Sequence, residues 1–160
     1  MPTFDPHITV ATVVEHDGRY LLVQESPHGE SVLNQPAGHI EGGETLIDGA
    51  RREALEETGY RVQPTHVVGV YVWTSPKNGA TYFRVCFAGE LLGKVEGYAI
   101  DKDIDAVHWY TLAELRSRRA MLRSPLVLRC VEDHAAGKRF PLEMIFDADD
   151  LVRRGITEQT

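Results

Sequence analysis

Residues 38–60 read GHIEGGETLIDGARREALEETGY. Thr45 offers an N-cap hydroxyl, and Gly59 can take the left-handed turn that ends a helix, so a helix of about 13 residues is expected between them. At about 100° per residue, with Glu53 at zero, Glu57 falls near 40° and Glu56 near 300°, so the three carboxylates share an arc of about 100°. Ala50, Ala54 and Ile47 fall at about 60°, 100° and 120°, a narrow apolar stripe that can lie close to a sheet. A solvated surface helix would follow Glu with Lys or Arg four residues on. Here Glu53 and Glu57 are like charges at that spacing and Glu56 joins them, a mildly destabilising cluster unless a cation neutralises it. Spacing alone leaves a solvated face and a metal site both open. The lead-in weighs toward a site: Gly38, Gly42 and Gly43 allow the backbone to bend sharply and approach something closely. Arg52 is available to pair with Glu44 and the helix carboxylates.

The rest of the chain sets bounds. Its 160 residues suit one domain, and 42% hydrophobic with 26% charged residues is an ordinary globular balance. A formal net charge of -7 argues against binding a nucleic-acid polymer. An anionic small substrate would need an offsetting divalent cation. Cys86 and Cys130 sit among apolar residues and read as buried free thiols, and no CxxC or HExxH spacing suggests zinc. The N-terminal MPTFDPHITV has no signal-peptide pattern, and no apolar run approaches the roughly 18 residues of a membrane span. A cytoplasmic protein, monomeric or homodimeric, is the expectation.

No repeat or linker divides the sequence. HITVATVVEHDGRYLLVQES reads as a hairpin turning at Asp17-Gly18. Residues 32–40 read as short extended pieces, interrupted by Pro36 and Gly38. Residues 66–74 and 81–91 read as a second strand pair around Pro76-Lys77-Asn78-Gly79, and 106–111 as a further strand. Residues 112–122 and 125–136 read as helices, the second ended by Gly137. This order suggests a mixed sheet covered on both faces.

Gly38, Glu44, Arg52, Glu53, Glu56, Glu57 and Gly59 fill every specified position of Gly-x5-Glu-x7-Arg-Glu-U-x-Glu-Glu-x-Gly-U, with U a bulky aliphatic. The stretch therefore resembles the Nudix box. With each residue type at about 7% usage, a chance match of seven positions is on the order of 10⁻⁸ per start site. Ala54 and Tyr60 depart from the pattern at the U positions, and Ala37 replaces the first glycine of a common Pro-Gly-Gly lead-in. HITVATVV, NQPAGHIE, DIDAVHW and the tail RSPLVLRCVEDHAAGKRFPLEMI extend the resemblance to the NudJ phosphatase branch of that superfamily.

The resemblance implies an α/β fold, an α/β/α sandwich with a mixed sheet and a loop-helix-loop, as a single domain over 1–160 with residues 125–160 packed on it. It implies Mg²⁺-dependent phosphate release, with Mn²⁺ as a substitute, from nucleoside tri- and diphosphates and from thiamine or hydroxymethylpyrimidine pyrophosphate. Glu53, Glu56 and Glu57 are its implied metal ligands, in keeping with the shared arc, and a backbone carbonyl at Ala37 or Gly38 would add another. Arg52 would orient the glutamates, and Glu44 would place or accept a proton. A distant carboxylate completes such sites; Asp103 is the first choice, before Asp105 and Asp101. Arg84 would hold a phosphate if its strand turns it inward, and Trp73 and Tyr82 would stack on a ring. His39 reads as structural, and Arg123 and Arg139 as folding contacts. A nucleotide-binding module without hydrolysis is the alternative, disfavoured by the intact glutamates.

Overall fold

The computed structural model describes residues 3–155; the expected tail from 156 to 160 lies outside the described residues. Seven strands form one mixed sheet: β1 His7–His16, β2 Arg19–Glu25, β3 Val32–Asn34, β4 Ala37–His39, β5 Tyr60–Thr74, β6 Thr81–Lys94 and β7 Ile104–Tyr110. The order is β3-β2-β1-β6-β5, with β4 paired to β1 and β7 to β2. Only β1 and β6 run parallel; the other pairs are antiparallel. The helices are α1 Leu46–Thr58, α2 Leu112–Ser117, α3 Pro125–Ala135 and α4 Ala148–Arg153.

Local chemistry accounts for most of these boundaries. The β1–β2 hairpin turns through positive φ at Asp17 and Gly18, which matches the twist of the flanking strands. Thr45 accepts from the Asp48 N–H, and Gly59 ends α1 at φ 75°. α2 is shorter than the 112–122 expected. Thr111 and Glu114 close a capping box at its start, but the chain tightens into a 3₁₀ turn at Arg119–Met121. β5 begins at Tyr60, earlier than expected at residue 66, because Pro64 sits on an edge strand where a missing N–H is tolerated and the register shifts around it.

Side-chain alternation divides the core between the two faces. Val10, Val85 and Phe87 pack under Ala50 of α1. Ala11, Val13, Cys86 and Ala88 pack under Val127, Leu128, Cys130 and Val131 of α3. Both cysteines are free and buried. Among the described residues no helix is long and apolar enough to cross a membrane.

The segment after α2 is woven into this body. Tyr71 Oη donates to Asp133 at 2.8 Å, and Val67 and Phe140 exchange backbone hydrogen bonds at 2.8 and 2.9 Å. Truncation after Leu122 should strip the apolar side of α3 from the sheet and yield an insoluble or far less stable protein. A truncated chain with unchanged melting temperature and activity would show the segment to be an appendage.

A stacked imidazole pair, His66 on β5 and His134 on α3, lies between sheet and helix with ring centroids 6.4 Å apart. Neither His66 Nε2 nor His134 Nδ1 has a hydrogen-bond partner among the described residues. Burial pushes both below the ordinary histidine value, and Arg139 adds to this, while Glu15 opposes it at His134. A depressed folded-state value means stability that is complete above pH of about 6.5 and is lost as pH falls through the folded-state values. Melting temperature should therefore drop between pH 7.5 and 5, and His134→Gln should flatten part of that slope. An identical slope in the variant counts against this pair as the cause.

Candidate active site

The α1 helix can lie against the sheet because its contact face is built of small residues: Gly49, Ala50 and Ala54 are all buried. Gly38 on β4 serves the same closeness. A side chain there would overlap the Glu53 carboxylate, so the glycine lets that carboxylate rest against the strand.

Arg52 is the hub of the site. Its Nε and Nη2 donate to the two oxygens of Glu44 at 2.9 and 2.8 Å. Nη1 donates to Glu53 at 2.9 Å and Glu56 at 3.2 Å, and Nη2 also reaches the His39 carbonyl at 3.1 Å. One planar guanidinium thus ties the glycine loop to three carboxylates, which a lysine could not do. Glu44 also accepts from the Glu41 N–H at 2.7 Å, and the Arg52 hydrogen bonds hold it below the usual carboxylate range. So held, Glu44 anchors Arg52. Burial raises Glu53, against the pull of Arg52.

Glu57 is the most buried of the three α1 glutamates. It is 8% exposed and accepts from the Ala37 N–H at 2.7 Å. Burial pushes it up to about 8, and the charges of Glu25, Glu53 and Asp101 add to this against the Ala37 hydrogen bond. Asp101 N–H donates to the Glu56 carbonyl at 2.7 Å, which fastens the loop after β6 to the end of α1. Of the three candidate aspartates it is Asp101 whose charge reaches Glu57. Asp103 is exposed and gives its N–H to the Asp101 carboxylate at 3.1 Å, and Asp105 accepts from Ser26 Oγ. Asp101 is equally exposed, and it is its main chain that contacts α1.

Arg84 turns inward. It is 8% exposed, on the α3 face, and Nη1 donates to Gln35 Oε1 at 2.9 Å. Its Nε meets no acceptor among the described residues, nor does any carboxylate there pair with it. A buried cation without a counter-ion is costly. In register beside it, Tyr82 stacks between Trp73, at 6.0 Å, and His7, at 4.9 Å. His7 in turn shares a 2.8 Å hydrogen bond with His39, whose backbone carbonyl also accepts from Arg52, both of them structural contacts. Burial, then His7 and Arg123, keep His39 below the ordinary histidine value.

Three residues here escaped sequence reasoning, Glu25, Asn34 and Gln35, while Arg123, read as a folding contact, pairs with the first of them. Gln35 N–H donates to Asn34 Oδ1, Asn34 Nδ2 donates to Glu25, and Arg123 Nη1 donates to Glu25 at 2.6 Å. The stretch NQPAGHIE holds two of them, and two amides leading into the glycine loop were the available signal. Arg139, by contrast, stays with the distant histidine pair.

The donor set is oxygen-only, which suits a hard divalent cation. Among the described residues no three His, Cys, Asp or Glu side chains converge as a ready ligand set, because Arg52 holds Glu53 and Glu56 while Ala37 holds Glu57. Mg²⁺ needs only one or two carboxylates and keeps several waters, so the chemistry still fits.

Comparison with known proteins agrees with this geometry. Residues 4–130 match the NUDIX domain family. The chain is 40% identical over 153 residues to proteins named Phosphatase NudJ from Escherichia coli strain K12 and Shigella boydii, covering 96% of this chain and 99% of each of those. A solved NUDIX hydrolase from Nitrosomonas europaea superposes with a TM-score of 0.88 at 44% identity, covering 91% of this chain and 99% of that one. A UDP-X diphosphatase shares the fold at a TM-score of 0.69 and 18% identity, covering 88% of this chain and 68% of that one. The chain belongs to the Nudix hydrolase family, and it is an enzyme of that family.

Proposed function

We propose that this enzyme releases phosphate from nucleoside tri- and diphosphates with Mg²⁺, or Mn²⁺ in its place, and that thiamine and hydroxymethylpyrimidine pyrophosphates are further substrates. The observation that carries the reading is the buried Arg84 guanidinium, uncompensated among the described residues, on the sheet face opposite the α1 helix that carries the Arg52-bound Glu53 and Glu56. One feature takes an anion and the other calls for a cation.

Glu53, Glu56 and Glu57 would hold the metal, with a carbonyl of Ala37 or Gly38. A bound divalent cation would supply charge neutralisation at the phosphoryl group and a more acidic water. Arg52 fixes the rotamers of Glu53 and Glu56, and Glu44 fixes Arg52. Arg84 would receive substrate oxygens at its free Nε. Tyr82 and Trp73, half-buried in the same row, would carry a planar ring against their faces. The loop holding Asp101, Asp103 and Asp105 would provide the proton acceptor, and Asp101 is now the first choice. Asp101→Asn should cost more turnover than Asp103→Asn, compared by initial rates across pH; the reverse order would return the role to Asp103.

The reading is tested by phosphate release across a nucleotide and thiamine-pyrophosphate panel, with Mg²⁺ and with chelator. Turnover that chelator abolishes is expected. Tight binding of the same compounds without any turnover would make this a nucleotide-binding module.

A further inference from the structure

Arg123 comes from the turn after α2, yet its side chain ends on Glu25 of β2. Its backbone N–H donates to the Leu33 carbonyl at 2.9 Å, and Leu122 bridges Leu33 in parallel register. The main chain alone therefore pins this segment to β3. The side chain is free for another purpose, and it reaches Glu25 instead.

Glu25 sits at the β2 register shift, where a bulge re-aims a side chain. Its carboxylate is 13% exposed, with one oxygen on Asn34 at 3.1 Å and the other on Arg123 at 2.6 Å. Asn34 links on to Gln35, and Gln35 to Arg84, so one hydrogen-bonded chain joins the two arginines. Arg123 is 45% exposed, and only one of its five N–H donors is spent on Glu25. Asn34, which donates to Glu25, stands three residues before Ala37, whose N–H holds Glu57, so the pair lies along the segment that leads into the glycine loop. An anionic substrate entering a site rich in carboxylates meets repulsion there, and Arg123 is the exposed cation placed to offset it.

We propose that Arg123 is a substrate-binding residue that takes phosphate oxygens of the anhydride on its free N–H donors, with Glu25 as the positioning residue that fixes its guanidinium plane. This rests on the phosphoanhydride reading above and adds a second cation to Arg84.

The test uses the full chain and Arg123→Gln, Arg123→Lys and Glu25→Gln. Two quantities are measured: steady-state hydrolysis of a nucleoside diphosphate, and calorimetric binding of its non-hydrolysable imidodiphosphate analogue with Mg²⁺. Arg123→Gln should raise KM and weaken analogue binding roughly 10- to 100-fold, the scale of a lost charge-assisted hydrogen bond. Mn²⁺ affinity without substrate should stay within about twofold, since no metal ligand is altered. Arg123→Lys should recover part of the loss, keeping the charge without the planar fork. Glu25→Gln should raise KM by less. If Arg123→Gln does not fold, Arg123→Lys and competition by inorganic pyrophosphate decide the matter in the same way. Unchanged analogue affinity in a folded Arg123 variant overturns the proposal, as does a loss confined to kcat. A wild-type chain that binds the analogue but turns nothing over would defeat the hydrolysis reading, while the binding arm would still judge Arg123.

Discussion

Glu57→Gln should lower turnover by two or more powers of ten, the scale of removing a major electrostatic contribution, and should weaken divalent-metal binding with it. The amide keeps the side-chain volume and an oxygen that can still accept from the Ala37 N–H, so the local fold should persist. What it removes is a charge at an 8% exposed position, surrounded by the charges of Glu25, Glu53 and Asp101. That charge is costly in the metal-free protein, since burial pushes Glu57 up to about 8. The raised value means that ionised Glu57 opposes folding increasingly as pH climbs from the ordinary carboxylate range toward 8. The variant without metal should therefore melt no lower than the wild type at neutral pH, while Mn²⁺ should raise its melting temperature far less. Calorimetric Mn²⁺ titration, melting with and without Mn²⁺, and initial rates form the test. Full turnover in Glu57→Gln would make the residue a helix-to-strand clamp only.

Arg52→Ala is expected to harm both stability and activity. Its guanidinium meets Glu44, Glu53, Glu56 and the His39 carbonyl, and Glu44 and Glu53 are 15% and 14% exposed. Removing it leaves nearly buried carboxylates without a partner, for which the cost is about 3–5 kcal/mol; the low end applies because Arg52 is still 20% exposed. A loss of about 3 kcal/mol should appear as a melting temperature roughly 6–12 °C lower. Turnover should fall by about a hundredfold or more, because Glu53 and Glu56 lose the geometry Arg52 imposes. Arg52→Lys should recover little of either, since one ammonium cannot meet two oxygens of Glu44 and two further carboxylates together. Thermal melting and initial rates at saturating Mg²⁺ measure the two effects. A melting temperature unchanged in Arg52→Ala would show the network to be ornamental in solution.

The α1 helix and its chemistry were legible in the sequence because both are local. Thr45 and Gly59 mark its ends, and the i,i+3 and i,i+4 spacing places Glu53, Glu56 and Glu57 on one arc whatever the helix packs against. The Asp17-Gly18 hairpin was legible for the same reason: the turn residues and the alternation beside them fix the pairing. The depth of Glu57 was not legible, because it depends on β4 lying close enough for Ala37 to donate to it. Only the pairing of β1 with β6 showed that Arg84 faces inward, since a one-residue slip in register reverses the face. Gln35 meets Arg84 across 49 residues, and Glu25 meets Arg123 across 98. No periodicity carries such separations. Sequence by itself thus determined which local elements form and which residues share a helix face. Tertiary structure decided which charges are desolvated and which distant ones meet, because burial and electrostatics depend on distances that only the packed sheet and helices set.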